Sequence, residues 1–113
     1  MSKTPIAYIE FPSQDVAASK RFYGSLFGWS FQDFGPDYAS FTDAAVDGGF
    51  NSDSSHRTSA PLVVLDTDDL ELMCEKVKSA GGSITLPIFP FPGGRRFHFK
   101  DLSGNELAVM QKD

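Results

Sequence analysis

The sequence predicts an α+β domain built from two similar halves, and three observations support that prediction. When Asp15 is aligned with Asp69, an offset of 54 residues, Gly28 falls on Gly82. Each half begins with an alternating, strand-like stretch, continues with a helical stretch and ends with further alternating stretches. The length of 113 residues suffices for one domain with a real core but not for two. A duplicated supersecondary unit is therefore the first interpretation to test.

The first half predicts a strand, a helix and three short strands. Successive side chains of residues 6–11 fall alternately on an apolar face and a mixed face, as in a β-strand. Asp15 is suited to cap the helix that follows, and Gly28 is suited to end it. Apolar side chains recur at helical spacing between these two residues. Three short alternating stretches, separated by turn residues, then occupy 29–34, 38–42 and 48–50.

The second half predicts the same order. Residues 61–66 form its first strand, Asp68 or Asp69 caps its helix, and Gly81-Gly82 ends that helix. The remaining segments are a short strand at 83–86, a loop rich in Pro and Gly at 87–94, and strands at 95–100 and 106–111. The polar stretch from Asn51 to Ala60 predicts a linker at about 52–60, between a first module at about 4–51 and a second at about 61–112.

Composition excludes several classes of partner. The net charge of −5 and the pI of about 4.8 disfavour nucleic acid and anionic membrane, because binding to phosphate needs a basic surface. No apolar stretch is long enough to span a bilayer, and the first residues lack the apolar region of a signal peptide. The single cysteine, Cys74, suits a reducing compartment. We therefore expect a cytoplasmic protein.

Strand alternation divides the side chains between two faces. Helices this short are stable only when their apolar side packs against a sheet. We therefore expect both helices on the outer face of the sheet and expect its opposite face to curl around a cleft. Ile9, Phe11, Val63, Leu65, Leu107 and Val109 then face the helices, together with Phe97 and Phe99. The cleft side receives Tyr8, Glu10, Leu62, Val64, Glu106, Ala108 and Met110, with Arg96, His98 and Lys100 on it or at its rim.

Several segments resemble the vicinal oxygen chelate superfamily, which includes glyoxalase I, bleomycin-resistance proteins and extradiol dioxygenases. The resemblance covers nearly the whole chain and rests on three segments: IEFPSQDVAASKRFYGSLFGW, VLDTDDLELMCEKVKSAGG and PGGRRFHFKDLSGNELAV. It implies a single glyoxalase/bleomycin-resistance-like domain of two tandem βαβββ modules. These modules would form a cupped mixed sheet with helices on the outer face and a cavity in the cup. It also implies a homodimer, in which modules are either kept within one chain or exchanged between chains.

The metalloenzymes of that superfamily hold a divalent cation with His, Gln or Glu from both modules. By the resemblance, three of those positions fall on Tyr8, Leu62 and Ala108, and near the fourth only Asp47 carries a suitable donor. Leucine and alanine offer no donor atom, and tyrosine is a poor ligand for the usual cations. Shifting the alignment by two residues would bring Glu106 into the last position. We therefore predict no metal and no cofactor.

His98 and Glu10 are the side chains most capable of catalysis, because an imidazole beside a carboxylate can transfer protons near neutral pH. The alternative is that His98 is a surface residue bonded to solvent. Arg95 and Arg96 follow two glycines and can present a guanidinium to an anionic ligand or form salt bridges at the rim.

Most of the eleven phenylalanines should be core. Phe50, Phe89 and Phe91 are the least easily buried, because they lie at a strand end and in the Pro-rich loop. They would close over a flat apolar ligand or pack on a partner chain.

Three functions follow from these residues. The first is binding of a small apolar or aromatic molecule in the cup, without a metal. The second is an enzyme of the lyase, isomerase or dioxygenase type, which is either metal-dependent through atypical ligands or metal-free with Glu10 or His98 as the base. The third is a scaffold whose cup is sealed by side chains. The ligand contacts expected for the first function are Tyr8, Glu10, Leu62, Val64, Arg96, His98, Glu106, Ala108, Phe50 and Phe91.

Overall fold

The structure is a computed structural model, and it describes residues 4–113. The first module contains β1 (Ile6–Pro12), α1 (Val16–Phe27), β2 (Ser30–Asp33), β3 (Tyr38–Thr42) and β4 (Gly48–Asn51). The second contains β5 (Leu62–Asp66), α2 (Leu70–Ser79), β6 (Ser83–Phe91), β7 (Gly94–Lys100) and β8 (Glu106–Lys112). The order of elements is therefore the same in both modules.

The two helices begin at the aspartates that the repeat pairs. The Asp15 carboxylate accepts a hydrogen bond from the backbone N–H of Ala18 at 3.2 Å, and the Asp69 carboxylate accepts one from Leu72 at 3.1 Å. Each bond satisfies a backbone donor that the first turn of a helix leaves without a partner. Gly28 caps the end of α1 with a φ of 74°, a left-handed conformation that glycine adopts readily.

Both modules have the same strand topology. The strand order is β2-β3-β4-β1 in the first module and β6-β7-β8-β5 in the second. In each, the first strand pairs in parallel with the last, and the other pairs are antiparallel. The predicted fold class is confirmed: the protein is α+β, with mixed sheet and two βαβββ modules.

Contacts between the described residues divide the chain into two compact units, Tyr8–Leu62 and Val63–Asp113 together with residues 4–7. Each has a core between its helix and one sheet face. The first unit buries Val16, Ala39, Phe41 and Phe50 together, with Phe11, Tyr23, Trp29, Phe31 and Ala44 packed against them. The second buries Leu70, Cys74, Phe97 and Val109 together, with Leu65, Met73, Val77, Ile84, Ile88 and Phe99 around them. Alternation therefore assigned Phe11, Leu65, Phe97, Phe99 and Val109 to the correct face.

Two predictions about local structure are wrong. Phe50 was expected to be difficult to bury, yet it is only 1% exposed and lies 5.6 Å from Phe11 between ring centroids. The cause is register: Phe50 is paired with Phe11 across β4 and β1, so both rings face α1.

The segment 87–94 was expected to be a loop, but β6 continues to Phe91. An edge strand tolerates Pro87 and Pro90, and the pairing with β7 shifts register on either side of Leu86.

Neither helix in the described part of the chain is long and apolar enough to cross a membrane.

Candidate functional site

The first module places a polar cluster on the face opposite α1. Because Phe11, Phe41 and Phe50 point toward the helix, their neighbours along the strands point away from it. We call the resulting group of Tyr8, Glu10, Tyr38 and Asn51 the phenol–carboxylate cluster. Tyr38 and Asn51 begin β3 and end β4, and they are directly paired across the two strands. Three strands therefore contribute to one small surface.

Glu10 is the centre of this cluster. It is only 3% exposed, and its carboxylate accepts hydrogen bonds from the Tyr38 hydroxyl at 3.0 Å and the Asn51 amide at 3.2 Å. The Tyr8 and Tyr38 hydroxyl oxygens lie 2.6 Å apart. Because an ionised carboxylate only accepts hydrogen bonds, Tyr38 donates to Glu10 and the Tyr8 hydroxyl then donates to Tyr38. The two phenols and the carboxylate form one directed chain.

The surroundings keep Tyr38 protonated. Burial raises the pKa of the Tyr38 phenol well above its usual range, and the negative charge of Glu10 and the neighbouring Tyr8 add to the shift. Tyr38 also lies close over Gly49, where an added Cβ would come within 2.8 Å of the Tyr38 ring and hydroxyl. A glycine at position 49 therefore leaves the space that the phenol occupies.

The second module carries a different set of polar groups on the face opposite α2. We call Thr85, Phe89, Arg96, His98 and Glu106 the histidine cluster. The Thr85 hydroxyl donates to the Glu106 carboxylate at 2.8 Å, and the same carboxylate oxygen lies 3.5 Å from Nδ1 of His98. His98 is 0% exposed, so the expectation of a solvent-bonded surface histidine is wrong. It is buried because β6 and β8 flank it and the Phe89 ring packs on it at 5.7 Å.

The two adjacent arginines lie on opposite faces of β7. Arg96 is buried, and its guanidinium lies 5.4 Å from the ring centroid of Phe89 and 5.9 Å from that of Phe91. These distances allow cation–π attraction to both rings. Arg95 instead forms an ion pair with Glu71 of α2, and its hydrogen bonds lower the pKa of the Glu71 carboxyl. Arg95 therefore forms a salt bridge, which is one of the two roles predicted for it from the sequence.

The family model for the Glyoxalase/Bleomycin resistance protein/Dioxygenase superfamily matches residues 5–109. The chain belongs to this superfamily. The match includes both modules and both clusters, so the resemblance seen in the sequence is confirmed.

The curated relatives of this superfamily member include the anthracycline biosynthesis protein DnrV of Streptomyces peucetius. The two are 28% identical over an alignment of 127 positions that covers 94% of this chain and 46% of DnrV. The chain therefore spans about half the length of the curated relatives that it matches.

Two solved structures illustrate the shared fold. A glyoxalase/bleomycin resistance protein/dioxygenase superfamily member from Vibrio splendidus 12B01 has a TM-score of 0.74 and 18% identity, over 97% of this chain and all of that one. The Mn(II)-bound glyoxalase from Novosphingobium aromaticivorans has a TM-score of 0.67 and 21% identity, over 96% of this chain and 38% of that one. At such identities the likeness shows the fold alone.

The structure describes the positions that the resemblance assigned to metal ligands. Leu62 and Ala108 are fully buried and carry no donor atom, and the Tyr8 hydroxyl is hydrogen-bonded to Tyr38. Asp47 is exposed, and Glu106 is bonded to Thr85. Within residues 4–113, no three His, Cys, Asp or Glu side chains converge in a way that could hold an ion.

Within each module, most of the predicted ligand contacts lie on the strand face opposite that module's own helix, but Phe50 lies in the core between β4 and α1. Sequence reasoning missed three polar residues that the structure adds: Tyr38, Asn51 and Thr85. Asn51 was assigned to the polar stretch that predicted the linker, although it ends β4. Asn51 could have been recognised from its pairing with Tyr38 across β3 and β4. That pairing depends on the register of the hairpin, which the amino-acid sequence alone does not specify.

Proposed function

We propose that this superfamily member binds a small apolar or aromatic molecule against the sheet face opposite its helices. The observation that carries the proposal is the phenol–carboxylate cluster, where two partly exposed phenols lie above a buried carboxylate. Tyr8 and Tyr38 are partly exposed while hydrogen bonds hold their hydroxyls in place, and a few fixed polar groups of this kind give a small-molecule site its specificity.

The second module supports the same proposal with different chemistry. Phe89 and Phe91 offer two partly exposed aromatic rings, and the guanidinium of Arg96 lies beside them. A mostly apolar surface with a few fixed polar groups is the usual composition of a small-molecule site. The relatives named for anthracycline biosynthesis make polycyclic hydroxylated aromatics the first ligand class to test.

The test is a thermal-shift and binding titration with 1,4-dihydroxyanthraquinone. A ligand at 100 times its dissociation constant should raise the free energy of unfolding by about 2.7 kcal/mol. We expect Arg96→Gln and Tyr38→Phe each to weaken binding by about tenfold, a loss of about 1.4 kcal/mol. Arg95→Gln is the matched control, because the neighbouring arginine lies on the opposite face of β7. The proposal fails if no hydroxylated aromatic binds or if the two arginine variants behave alike.

A second candidate is a metal-free enzyme of the lyase or isomerase type. It is favoured by the position of the Glu106 carboxylate 3.5 Å from Nδ1 of His98. In that role Nε2 of His98 would take a proton from carbon and Glu106 would stabilise the imidazolium. Its test is exchange of deuterium from solvent into an α-methylene ketone, lost in His98→Gln and retained in His56→Gln.

The metal-dependent version, including a dioxygenase, has a separate test. Because two of the expected positions, Leu62 and Ala108, lack donor atoms, we expect Ni²⁺, Zn²⁺, Mn²⁺ and Fe²⁺ to leave the melting temperature unchanged. A saturable rise with one of these ions would overturn the metal-free proposal.

We also propose a cytoplasmic location, which the lone Cys74 supports.

A further inference from the structure

The hydrogen bonds of the phenol–carboxylate cluster have a fixed direction, and Asn51 sets that direction at the buried end. The side-chain oxygen of Asn51 accepts a hydrogen bond from the backbone N–H of Asp53 at 2.9 Å. The amide nitrogen is then the atom that faces Glu10, where it donates to Oε1 at 3.2 Å. Both side chains are buried, with exposed fractions of 6% for Asn51 and 3% for Glu10. Glu10 is therefore held as an acceptor.

The other oxygen of the same carboxylate sets the orientation of both phenols. Oε2 of Glu10 accepts the hydroxyl hydrogen of Tyr38 at 3.0 Å. A phenol has one hydrogen to donate, so the Tyr38 oxygen accepts in its 2.6 Å contact with Tyr8, and Tyr8 is the donor there. Burial and the Glu10 charge raise the pKa of Tyr38, so Tyr38 keeps the hydrogen that it donates. Tyr8 consequently ends the chain with its hydrogen directed inward.

A ligand beside Tyr8 meets lone pairs rather than a hydrogen. Tyr8 is partly exposed, whereas Glu10 and Asn51 are buried. The Tyr8 oxygen retains the capacity to accept, because a hydroxyl has two lone pairs besides its one hydrogen. A hydroxyl group on the ligand can supply the missing hydrogen, but a carbonyl oxygen cannot. Hydrogen bonds arranged in a chain polarise one another, so the negative charge of Glu10 strengthens this bias.

We propose that the first module selects its ligand by hydrogen-bond polarity: the Tyr8 oxygen accepts a hydrogen from a neutral aromatic hydroxyl and disfavours a carbonyl compound with the same rings. This inference rests on the proposed binding of small aromatic molecules and narrows their class to hydrogen-bond donors. Tyr8 makes the contact, and Tyr38, Glu10 and Asn51 hold it in the accepting orientation.

The test compares three neutral probes with one ring system. The probe 2-naphthol donates a hydrogen, 2-acetylnaphthalene only accepts, and naphthalene does neither. In equilibrium dialysis at neutral pH, 2-naphthol should bind about tenfold more tightly than the other two probes, which is the effect of one hydrogen bond. Tyr8→Phe should remove this preference. Tyr23→Phe is the matched control and should retain it, because Tyr23 packs on the helix side of the sheet.

Glu10→Gln tests the polarity itself, because it should reverse the chain. Asn51 would still donate to the carbonyl oxygen of the new amide, which turns the amide nitrogen toward Tyr38. Tyr38 would then accept from that nitrogen and donate to Tyr8, so the Tyr8 hydrogen would be directed toward the ligand. In this variant 2-acetylnaphthalene should bind about tenfold more tightly than naphthalene.

The outcomes separate this inference from the proposed function. Equal binding of the three probes to the unmodified protein, or a preference that survives Tyr8→Phe, would overturn selection by polarity and leave aromatic binding standing. Absence of binding by all three probes would overturn both proposals. If Glu10→Gln does not fold, the comparison of Tyr8→Phe with Tyr23→Phe decides, because each of these variants removes one hydroxyl and keeps the ring.

Discussion

Glu10 shows how one buried carboxylate organises its surroundings in the first module. Tyr38 and Asn51 both donate to it, and the Asn51 amide is itself buried. Removing one donor from a buried acceptor costs about 1–3 kcal/mol, so Asn51→Ala should lower the free energy of unfolding by that amount. Urea denaturation measures the change. Ser54→Ala, at an exposed position, should leave stability unchanged, and equal stability of the two variants would contradict the prediction.

Tyr38 adds a dependence on alkaline pH. Its pKa is raised in the folded protein, chiefly by burial and then by the Glu10 charge, whereas in the unfolded chain it ionises near pH 10. Above that pH the unfolded state releases a proton that the folded state keeps, so the free energy of unfolding falls as the pH rises. We expect Tyr38→Phe to be less stable at neutral pH and to lose stability less steeply between about pH 9.5 and 11. Denaturation at a series of pH values measures how steeply the free energy of unfolding falls in Tyr38→Phe and in the unmodified protein. Tyr23→Phe serves as the control for loss of a tyrosine elsewhere.

The helices depend on their caps as well as on their apolar faces. Asp15 accepts a hydrogen bond from Ala18, and no acidic residue lies in the first turn of α1 to replace it. Asp15→Ala should therefore cost about 1 kcal/mol of stability. Chemical denaturation compares this variant with Gln14→Ala, which alters the exposed neighbouring residue without removing the cap. A loss of the same size in both variants would show that the cap is not the cause.

The elements that the sequence predicted well are those governed by local rules. Caps and alternation are local, so Asp15, Asp69 and Gly28 mark the helix ends correctly, and 38–42 was predicted with the bounds that β3 has. The errors concern tertiary context. Phe50 is buried because β4 pairs with β1, and β6 extends through two prolines because it is an edge strand.

At the scale of the whole molecule, the repeat predicts architecture better than it predicts chemistry. Both modules have the same order of elements and the same parallel pairing of first and last strands. The faces opposite their helices nevertheless differ, with phenols and a carboxylate in one and an imidazole and a guanidinium in the other. Alternation placed Glu10 and His98 on those faces, but Tyr38, Asn51 and Thr85 became visible only through pairing across strands.

Assembly is the last property that the chain makes testable. The superfamily resemblance implies a homodimer, and α1 carries Phe22, Leu26 and Phe27 with exposed fractions of 60%, 58% and 57%. Large apolar side chains grouped on one helix are typical of an interface, and a stable interface buries about 800 Å² per partner. We expect sedimentation velocity to give twice the chain mass of 12.4 kDa. The double variant Phe22→Ser with Leu26→Gln should sediment as a single chain while Ala17→Ser does not, and a single-chain mass for the unmodified protein would contradict the dimer.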